Sequence, residues 1–430
     1  MKNALGTAQA AVAAARTKLA RLAAIEPYFI DLSLRENVFG SNVGQTLQDK
    51  LQILPKLRKF GFQNILLGTL DYALDDEPEV DDDFMKYLRD NRIDMTGGFA
   101  FTDVGLVNDG VFTPSRSMEK LASYGVPNTL HEIYLSPQGI ATQKYTLEQL
   151  PSILPATVAW LHANVRGDGG GKPRILVNIV DGCDAFMENL DAIAPILSLL
   201  ATLDVEGISI EDDRGTYMPF QVGAVVAAAR SFLPTPKKIL VHMHSGGGFE
   251  NGSLVEALLN GADGAWGGLP KRAAIIGHAS LGELIANLVR AGNASMAARY
   301  DIANLLPLAT SLQELDSQSP VPDDEPILGR NAYRLTMDFF RQKGTRAMDL
   351  PPEAIGGTYG YRVCPLAADV IVLAGRLAEV TGNPPSTYDE KVLQMMIRLM
   401  RRDLRAGIKT DYDVPAALLT LYQRARAAST

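Results

Sequence analysis

The sequence predicts an α/β fold: a (β/α)8 barrel, or TIM barrel, followed by a mainly helical C-terminal domain. Eight short apolar runs rich in β-branched residues recur between residues 28 and 268, and amphipathic stretches separate them. This alternation is typical of βα units around a parallel sheet, and eight units of this spacing suit a closed barrel. A doubly wound sheet is the less favoured alternative, because no G-x-G-x-x-G motif follows an early run.

The barrel is expected to begin after an Ala-rich stretch at 1–27, which predicts an amphipathic helix. Arg16, Lys18 and Arg21 interrupt this stretch, so it lacks the unbroken apolar region of a secretory signal peptide. The predicted strands that follow are 28–34, 64–70, 95–101, 131–136, 174–180, 207–212, 238–244 and 261–268.

The pattern changes after the eighth run. The barrel is predicted to be the catalytic domain and to cover 28–295, and the helical C-terminal domain is predicted to cover 296–430. Within the latter, "DSQSPVPDDEPILG" combines Pro, Ser and acidic residues as linkers and loops do. The acidic run "DDEPEVDDDF" at 75–84 is predicted to be a solvated loop after the second strand.

Composition excludes several functional classes. The 430 residues carry a net charge of -8, and no Lys/Arg cluster provides the footprint that nucleic acid or an anionic membrane requires. The two cysteines, Cys183 and Cys364, are too far apart in sequence to suggest a disulfide framework or a Cys-based zinc site. No run of about 20 apolar residues indicates a membrane span. We therefore expect a cytoplasmic protein with neither nucleic-acid nor membrane partners.

The stretch "ILVHMHSGGGFENG" at 239–252 holds two of the five histidines of the chain. His242 and His244 have the same parity on the seventh predicted strand, so both side chains point to one side, near the end where a barrel builds its site. Two imidazoles on one face can share a metal ion, although buried structural histidines are also common. The glycines that follow leave room for a ligand or for a close backbone turn.

Charged residues gather where other predicted strands end. Arg35 and Glu36 follow the first strand, and they form either a solvated turn or the surroundings of a metal-bound oxyanion. The sixth strand leads to Glu211 and Asp213, which share one parity and are candidates for proton transfer by position alone. His278 follows the eighth strand in a turn that opens a helix, where it either joins the other histidines or caps the helix.

These motifs resemble those of the DRE-TIM metallolyases, also called the HMGL-like or pyruvate carboxyltransferase-domain family, which includes 3-hydroxy-3-methylglutaryl-CoA (HMG-CoA) lyase. The family's first strand ends in D-x-T-L-R-D-G, and "IDLSLREN" is similar. Its seventh strand carries H-x-H-N-D-x-G, and "HMHSGGG" keeps both histidines. "ALLNGADGAWGGL" resembles A-x-x-A-G-A-x-x-V-x-G-T, and "DDRGTYMP" resembles D-T-x-G-x-x-x-P with Asp213 in place of Thr. The resemblance covers residues 28–290.

The resemblance implies a divalent metal site. It puts Arg35 in the place of the catalytic arginine and Glu36 in the place of a metal-binding aspartate, with His242 and His244 as further ligands. The family's fourth ligand is an asparagine after the eighth strand, and His278 takes that place here. Three imidazoles and one carboxylate shift the metal preference from Mg²⁺ towards Zn²⁺, Mn²⁺, Fe²⁺ or Co²⁺.

The same resemblance implies carbon–carbon bond chemistry through the enolate of a 2-oxo acid or acyl-CoA, a small carboxylic acid as substrate, and a homodimer. Arg35 would hold the enolate oxygen. His131 is a third proton-transfer candidate, but we expect it to face the far end of the barrel. Lys271 and Arg272 leave a basic patch at the mouth, which either binds a carboxylate or CoA phosphate or consists of solvated loop residues.

Chain length favours the isopropylmalate, homocitrate and Re-citrate synthase branch, because the family's lyases end shortly after the barrel. "PILGRNAYRL" also resembles the start of the synthases' C-terminal subdomain. The sequence therefore predicts Claisen-type acyl transfer. Two alternatives stay open: an aldolase, retro-Claisen lyase or decarboxylase of the same fold without CoA, and a catalytically inactive barrel that serves as a binding or regulatory subunit.

Overall fold

The computed structural model of the chain divides into two compact units, Met1–Val321 and Pro322–Thr430. The first unit extends past residue 295, where the sequence predicts the end of the barrel domain, because helix Leu305–Ser317 packs against helix Leu47–Phe60. The residues that the structure describes are 2–35, 43–70, 78–270, 277–338 and 350–429.

Eight parallel strands close into a barrel in the first unit, which confirms the predicted fold class. We number them β1 to β8 in chain order. Each strand pairs with its sequence neighbours, and β8 closes the barrel against β1, with Tyr28 opposite Gly264. The strands are β1 (Tyr28–Asp31), β2 (Asn64–Thr69), β3 (Gly98–Asp103), β4 (Asn128–Ile133), β5 (Ile175–Ile179), β6 (Gly207–Asp212), β7 (Lys238–Met243) and β8 (Gly264–Gly267).

Helices surround the strands, and a short antiparallel hairpin, Leu106–Asn108 with Val111–Thr113, follows β3. The first helix corresponds to the predicted N-terminal one. The helices of this unit are α1 (Lys2–Ala24), α2 (Leu47–Phe60), α3 (Val80–Asp90), α4 (Arg116–Tyr124), α5 (Pro137–Ile140), α6 (Leu150–Asn164), α7 (Gly182–Thr202), α8 (Pro219–Phe232), α9 (Glu250–Leu259), α10 (Leu281–Arg290), α11 (Ala294–Arg299) and α12 (Leu305–Ser317).

By length and composition alone, α7 could cross a membrane, and among the described helices it is the one that meets this test. It packs beside β6 as one of the helices around the barrel, and Asn189 departs from helical backbone angles in its middle. The core helix of a globular protein meets the same criterion, so the observation is weak evidence for a span.

The acidic run at 75–84 is not a solvated loop throughout, as the sequence suggested. Residues 75–77 lie outside the described part of the chain, and α3 begins at Val80. Asp81 and Asp82 are buried, because Asp81 pairs with Lys50 at 2.7 Å and Asp82 pairs with Lys120 at 3.1 Å. Lysines on other helices, of which Lys50 is buried and Lys120 half-buried, offset the negative charge that made this run look solvated.

The barrel interior is filled in layers. At the N-terminal end, Arg174 donates hydrogen bonds to the Tyr28 hydroxyl at 2.6 Å and to Asn64 Oδ1 at 2.9 Å. Above it lies an apolar layer, whereas the side chains at the C-terminal ends of the strands are polar. The apolar layer consists of Ile30, Leu32, Leu66, Phe99, Phe101, Leu130, Leu176, Leu240 and Trp266.

The second unit is mainly helical and has its own apolar core. Helices α13 (Val370–Thr381), α14 (Glu390–Arg405) and α15 (Pro415–Ser429) pack on one another. A two-residue parallel strand pair, Arg334–Leu335 with Gly360–Tyr361, lies in the same unit. The structure thus confirms a helical C-terminal region after the barrel.

Candidate metal centre at the barrel mouth

The two histidines of the seventh strand reach the mouth because β7 ends between them. His242 lies on β7 and His244 directly follows it. The glycines after them permit close backbone packing: a Cβ on Gly246 would lie 1.9 Å from the Arg214 carbonyl oxygen. Gly215, on the facing loop, has a φ of 61°, which side-chain-bearing residues rarely adopt. The glycines therefore fix the loop that carries His244.

Three potential metal ligands converge at this point. One ligand atom each from Glu211, His242 and His244 lies within 4.8 Å of the other two, and all three residues are buried. Glu211, at the end of β6, is in register with His242. His244 Nε2 lies 3.0 Å from Glu211 Oε1. The sequence analysis placed Glu211 among the proton-transfer candidates, whereas the structure places its carboxylate against the histidines.

His242 is held in one orientation. Its Nδ1 lies 2.9 Å from the carbonyl oxygen of Trp266, and its ring stacks on the Trp266 indole with centres 3.6 Å apart. Since a carbonyl can only accept, Nδ1 carries the proton and Nε2 keeps a lone pair. Nε2 is buried without a hydrogen-bond partner among the described residues. Burial also lowers the pKa of His242 well below its usual value, so the imidazole is neutral, as a metal ligand must be.

His278 adjoins this group. It forms a β-bridge with His244, and its ring centre lies 5.4 Å from that of His242. Its Nδ1 lies 3.0 Å from the Ala279 carbonyl oxygen, and Nε2 is again buried without a partner in the described chain. Burial lowers the pKa of His278 to about 3. The side chain of Ser280 caps helix α10, so His278 is not needed for the capping role that the sequence left open.

This donor set fits a divalent metal ion. Two imidazoles and one carboxylate, those of His242, His244 and Glu211, are ligands that zinc, manganese, iron and cobalt accept. A buried polar atom without a partner is costly, so the unpartnered Nε2 atoms of His242 and of the neighbouring His278 indicate a site shaped for a ligand. Glu36, the predicted carboxylate ligand, lies outside the described residues.

Arg35 lies at the same end of the barrel. It is buried, and its Nε donates a hydrogen bond to the Thr69 hydroxyl at 2.5 Å. Its guanidinium carbon lies 4.5 Å from the centre of the Phe101 ring. A guanidinium that is stacked on an aromatic ring and hydrogen-bonded at its inner nitrogen keeps a defined direction.

A buried ion pair supports the segment that carries Arg35. Lys50 donates a hydrogen bond to the Leu34 carbonyl oxygen and pairs with Asp81 at 2.7 Å. The Asp81 carboxylate also accepts the backbone N–H of Thr69 at 2.8 Å. These contacts close a ring from Lys50 through Asp81 and Thr69 back to Arg35, which explains why a lysine is fully buried here.

Glu132 is a mouth residue that the sequence analysis missed. It lies on β4, in register with Asp103 on β3 and Asn178 on β5. The residue chosen instead, His131, points to the other face of β4, where its Nδ1 lies 3.0 Å from the Thr102 hydroxyl rather than at the far end of the barrel. The available signal was parity: Glu132 points to the same side of the strand as Leu130, which belongs to the apolar interior.

Asp213 lies on the loop after β6 and is half-buried. Burial, with the nearby Glu211 carboxylate, raises the pKa of Asp213 to about 6. The neighbouring Arg214 pairs with Asp184 at 2.6 Å, and Asp184 also accepts the Tyr217 hydroxyl at 2.7 Å. Lys271 and Arg272, the predicted basic patch, lie outside the described residues.

No family model and no curated protein matches this sequence. Solved structures do match its fold. HMG-CoA lyase from Acinetobacter baumannii, in complex with coenzyme A and 3-methylmalate, aligns with a TM-score of 0.54 and 14% identity over 69% of this chain and 93% of its own. HMG-CoA lyase from Brucella melitensis aligns with a TM-score of 0.53 and 15% identity over 69% of this chain and 100% of its own.

A third match extends further along this chain. Pyruvate carboxylase from Rhizobium etli aligns with a TM-score of 0.51 and 10% identity over 95% of this chain and 35% of its own. At such identities the likeness is one of fold, so the roles of individual residues rest on their geometry in this chain.

Proposed function

Because the barrel has the fold of the DRE-TIM metallolyases, we propose that this chain is a metal-dependent enzyme that makes or breaks a carbon–carbon bond next to a carbonyl group. The single observation that carries the proposal is the convergence of Glu211, His242 and His244, whose ligand atoms lie within 4.8 Å of one another and include the buried, unpartnered Nε2 of His242. A buried ligand atom without a hydrogen-bond partner is unfavourable unless a bound ion satisfies it.

His242, His244 and Glu211 would hold the ion, with His278 beside them and Glu36 as a further predicted ligand. A bound divalent ion would polarise a carbonyl oxygen and stabilise negative charge on it. Arg35 would contribute the second positive charge, because an enolate is unstable at neutral pH unless its oxygen is stabilised. Phe101 and Thr69 fix the direction of that guanidinium before substrate binds.

The finer assignment is Claisen-type acyl transfer from an acyl-CoA to a 2-oxo acid, similar to isopropylmalate or homocitrate synthase. Chain length supports it, because a helical unit follows the barrel. The expected substrate is a small carboxylic acid, and the expected assembly is a homodimer in the cytoplasm.

A second candidate is carboxyl chemistry on a 2-oxo acid without CoA, such as decarboxylation. The alignment with pyruvate carboxylase favours it, because that alignment covers 95% of this chain whereas the lyase alignments cover 69%. If the chain catalyses acyl transfer, incubating it with acetyl-CoA and a set of 2-oxo acids should release the free thiol of CoA. If it is a decarboxylase, it should release carbon dioxide from oxaloacetate with no CoA present.

Metal content tests the shared part of both candidates. Elemental analysis of the purified protein should find about one Zn, Mn, Fe or Co per chain, and His242→Ala should lose most of it. His162→Ala is the matched control, because His162 lies on α6 and contacts the Asp204 carbonyl oxygen instead. If the wild-type protein and the His162→Ala control both hold no metal after reconstitution, the metalloenzyme proposal is wrong. The binding-subunit alternative then takes its place.

A further inference from the structure

Glu132 enters the barrel interior from β4. Side chains alternate along a strand, and Leu130, two residues earlier, belongs to the apolar layer inside the barrel. Glu132 therefore lies on the same side, nearer to the C-terminal end of the strand. In register, Asp103 stands on one side of it and Asn178 on the other. A carboxyl group thus occupies the wall of the mouth, on a strand rather than on a loop.

One amide lies between Glu132 and the candidate metal ligands. Asn178 stands opposite Glu132 in the register of β4 and β5, and its Nδ2 donates to Glu211 Oε2 at 2.9 Å. Glu211 is additionally bonded to His244. The two glutamates are therefore unequal: Glu211 is fixed against a histidine and Asn178, whereas Glu132 lies beyond Asn178.

Burial, rather than the surrounding charges, favours a Glu132 carboxyl group that changes protonation state near neutral pH. Burial raises the pKa of Glu132 to about 8, and Glu211 and Asp103 act in the same direction, while Arg35 opposes them. The facing groups are Arg35 after β1, Asp103 on β3, Asn178 on β5 and Glu211 on β6. A neutral acid that can release its proton is suited to general acid–base catalysis.

We propose that Glu132 is the catalytic residue that transfers the proton at the substrate carbon next to the carbonyl, an inference that rests on the proposed function. In the cleavage direction, the Glu132 O–H bond breaks, its proton goes to the enolate carbon, and the electron pair of the enolate double bond forms the new C–H bond. The negative charge of the enolate then resides on the Glu132 carboxylate. In the reverse direction the carboxylate takes that proton and regenerates the enolate.

The other candidates are less suited to this role. Cys183 is fully buried, and burial raises the pKa of its thiol well above the usual value. His131 lies on the opposite face of β4. Asp213 lies on a loop rather than on a strand, so its position is less firmly fixed than that of Glu132.

Exchange of the methyl protons of pyruvate in deuterium oxide, followed by proton NMR, isolates this step because enolisation needs no second substrate. The metal-loaded wild-type protein should exchange them, with 2-oxobutyrate as a second probe. Glu132→Gln, which keeps the size of the side chain and removes its acidic proton, should slow exchange by about 10²–10⁴-fold with unchanged metal content. Glu132→Asp should restore part of the rate. Glu188→Gln, an exposed glutamate on α7, is the matched control.

Each outcome has one meaning. Wild-type exchange together with an equally fast Glu132→Gln variant overturns the assignment of Glu132 and leaves the proposed function intact. Loss of metal from Glu132→Gln also overturns it, since the residue then supports the metal site instead. A metal-loaded wild-type protein that exchanges neither probe overturns the enolate chemistry itself, and the assignment with it.

Discussion

The imidazole of His242 lies flat on the indole of Trp266, with ring centres 3.6 Å apart and planes 6° apart. The same tryptophan supplies the carbonyl oxygen that lies 2.9 Å from His242 Nδ1, and its own Nε1 donates to Ser209. Trp266 thus controls both the tilt and the tautomer of the histidine. Partners of this kind commonly alter metal affinity although they do not bind the metal.

Replacing Trp266 should therefore weaken metal binding. Trp266→Leu removes the stacking surface, and we expect the metal dissociation constant to rise about 10–100-fold, measured by calorimetric titration of the metal-free protein. Trp160→Leu, on helix α6, replaces the other tryptophan of the chain and serves as control. An unchanged dissociation constant in Trp266→Leu would show that the stacking does not orient His242.

The buried pair of Lys50 and Asp81 should be important for stability. Lys50→Met leaves a buried carboxylate without its cation, which costs about 3–5 kcal/mol of the free energy of unfolding in urea. The double variant Lys50→Met/Asp81→Asn should recover part of that loss, because no charge is then left unpaired. Lys59→Met, an exposed position on the same helix, is the control. A Lys50→Met protein as stable as the wild type would contradict this account.

Arg35→Lys should slow enolisation while the metal stays bound. The lysine keeps the charge but loses both the contact with Phe101 and the geometry of the bond to Thr69. We expect pyruvate exchange to fall by about 10–100-fold, measured by NMR beside elemental analysis. A variant that exchanges at the wild-type rate would show that the guanidinium does not stabilise the enolate.

Asp31 should make stability depend on pH. It is fully buried, and burial raises its pKa to about 7, against the opposing effect of its hydrogen bonds from Ser33. Between about pH 4 and pH 7 the folded chain holds a proton that the unfolded chain releases, so this stabilisation is present at low pH and is lost as the pH rises.

The free energy of unfolding should therefore fall between pH 5 and pH 8, by roughly 2.5–3 kcal/mol at most. Asp31→Asn should flatten the profile, because its amide stays neutral and can still accept the Ser33 N–H. Urea unfolding at both pH values checks this, with exposed Asp83→Asn as control. Equal slopes in the wild type and Asp31→Asn would assign the pH dependence to another group.

The barrel could be predicted from sequence because its signal is periodic. Apolar runs and intervening helices repeat along the chain, and parity within one run placed His242 and His244 on one face. The same rule applied to "HEIYLS" could have found Glu132, whose parity is that of Leu130. The sequence analysis instead selected the neighbouring His131, whose side chain points to the other face of β4.

Other features depend on contacts between distant segments, which no local pattern contains. The acidic run around Asp81 looked solvated because its partner, Lys50, lies on a different helix. The stacking of Trp266 on His242 requires β8 to close beside β7. The position of Glu211 against His244 follows from the register of β6 with β7.

The hydrogen bonds of Arg174 to Tyr28 and Asn64 occupy the N-terminal end of the barrel interior. We therefore expect the proposed substrate to enter, and its product to leave, at the opposite end, by the same passage in opposite directions. A bound product then excludes the next substrate until it departs. Selection for a different substrate can reshape the rim without disturbing the N-terminal end.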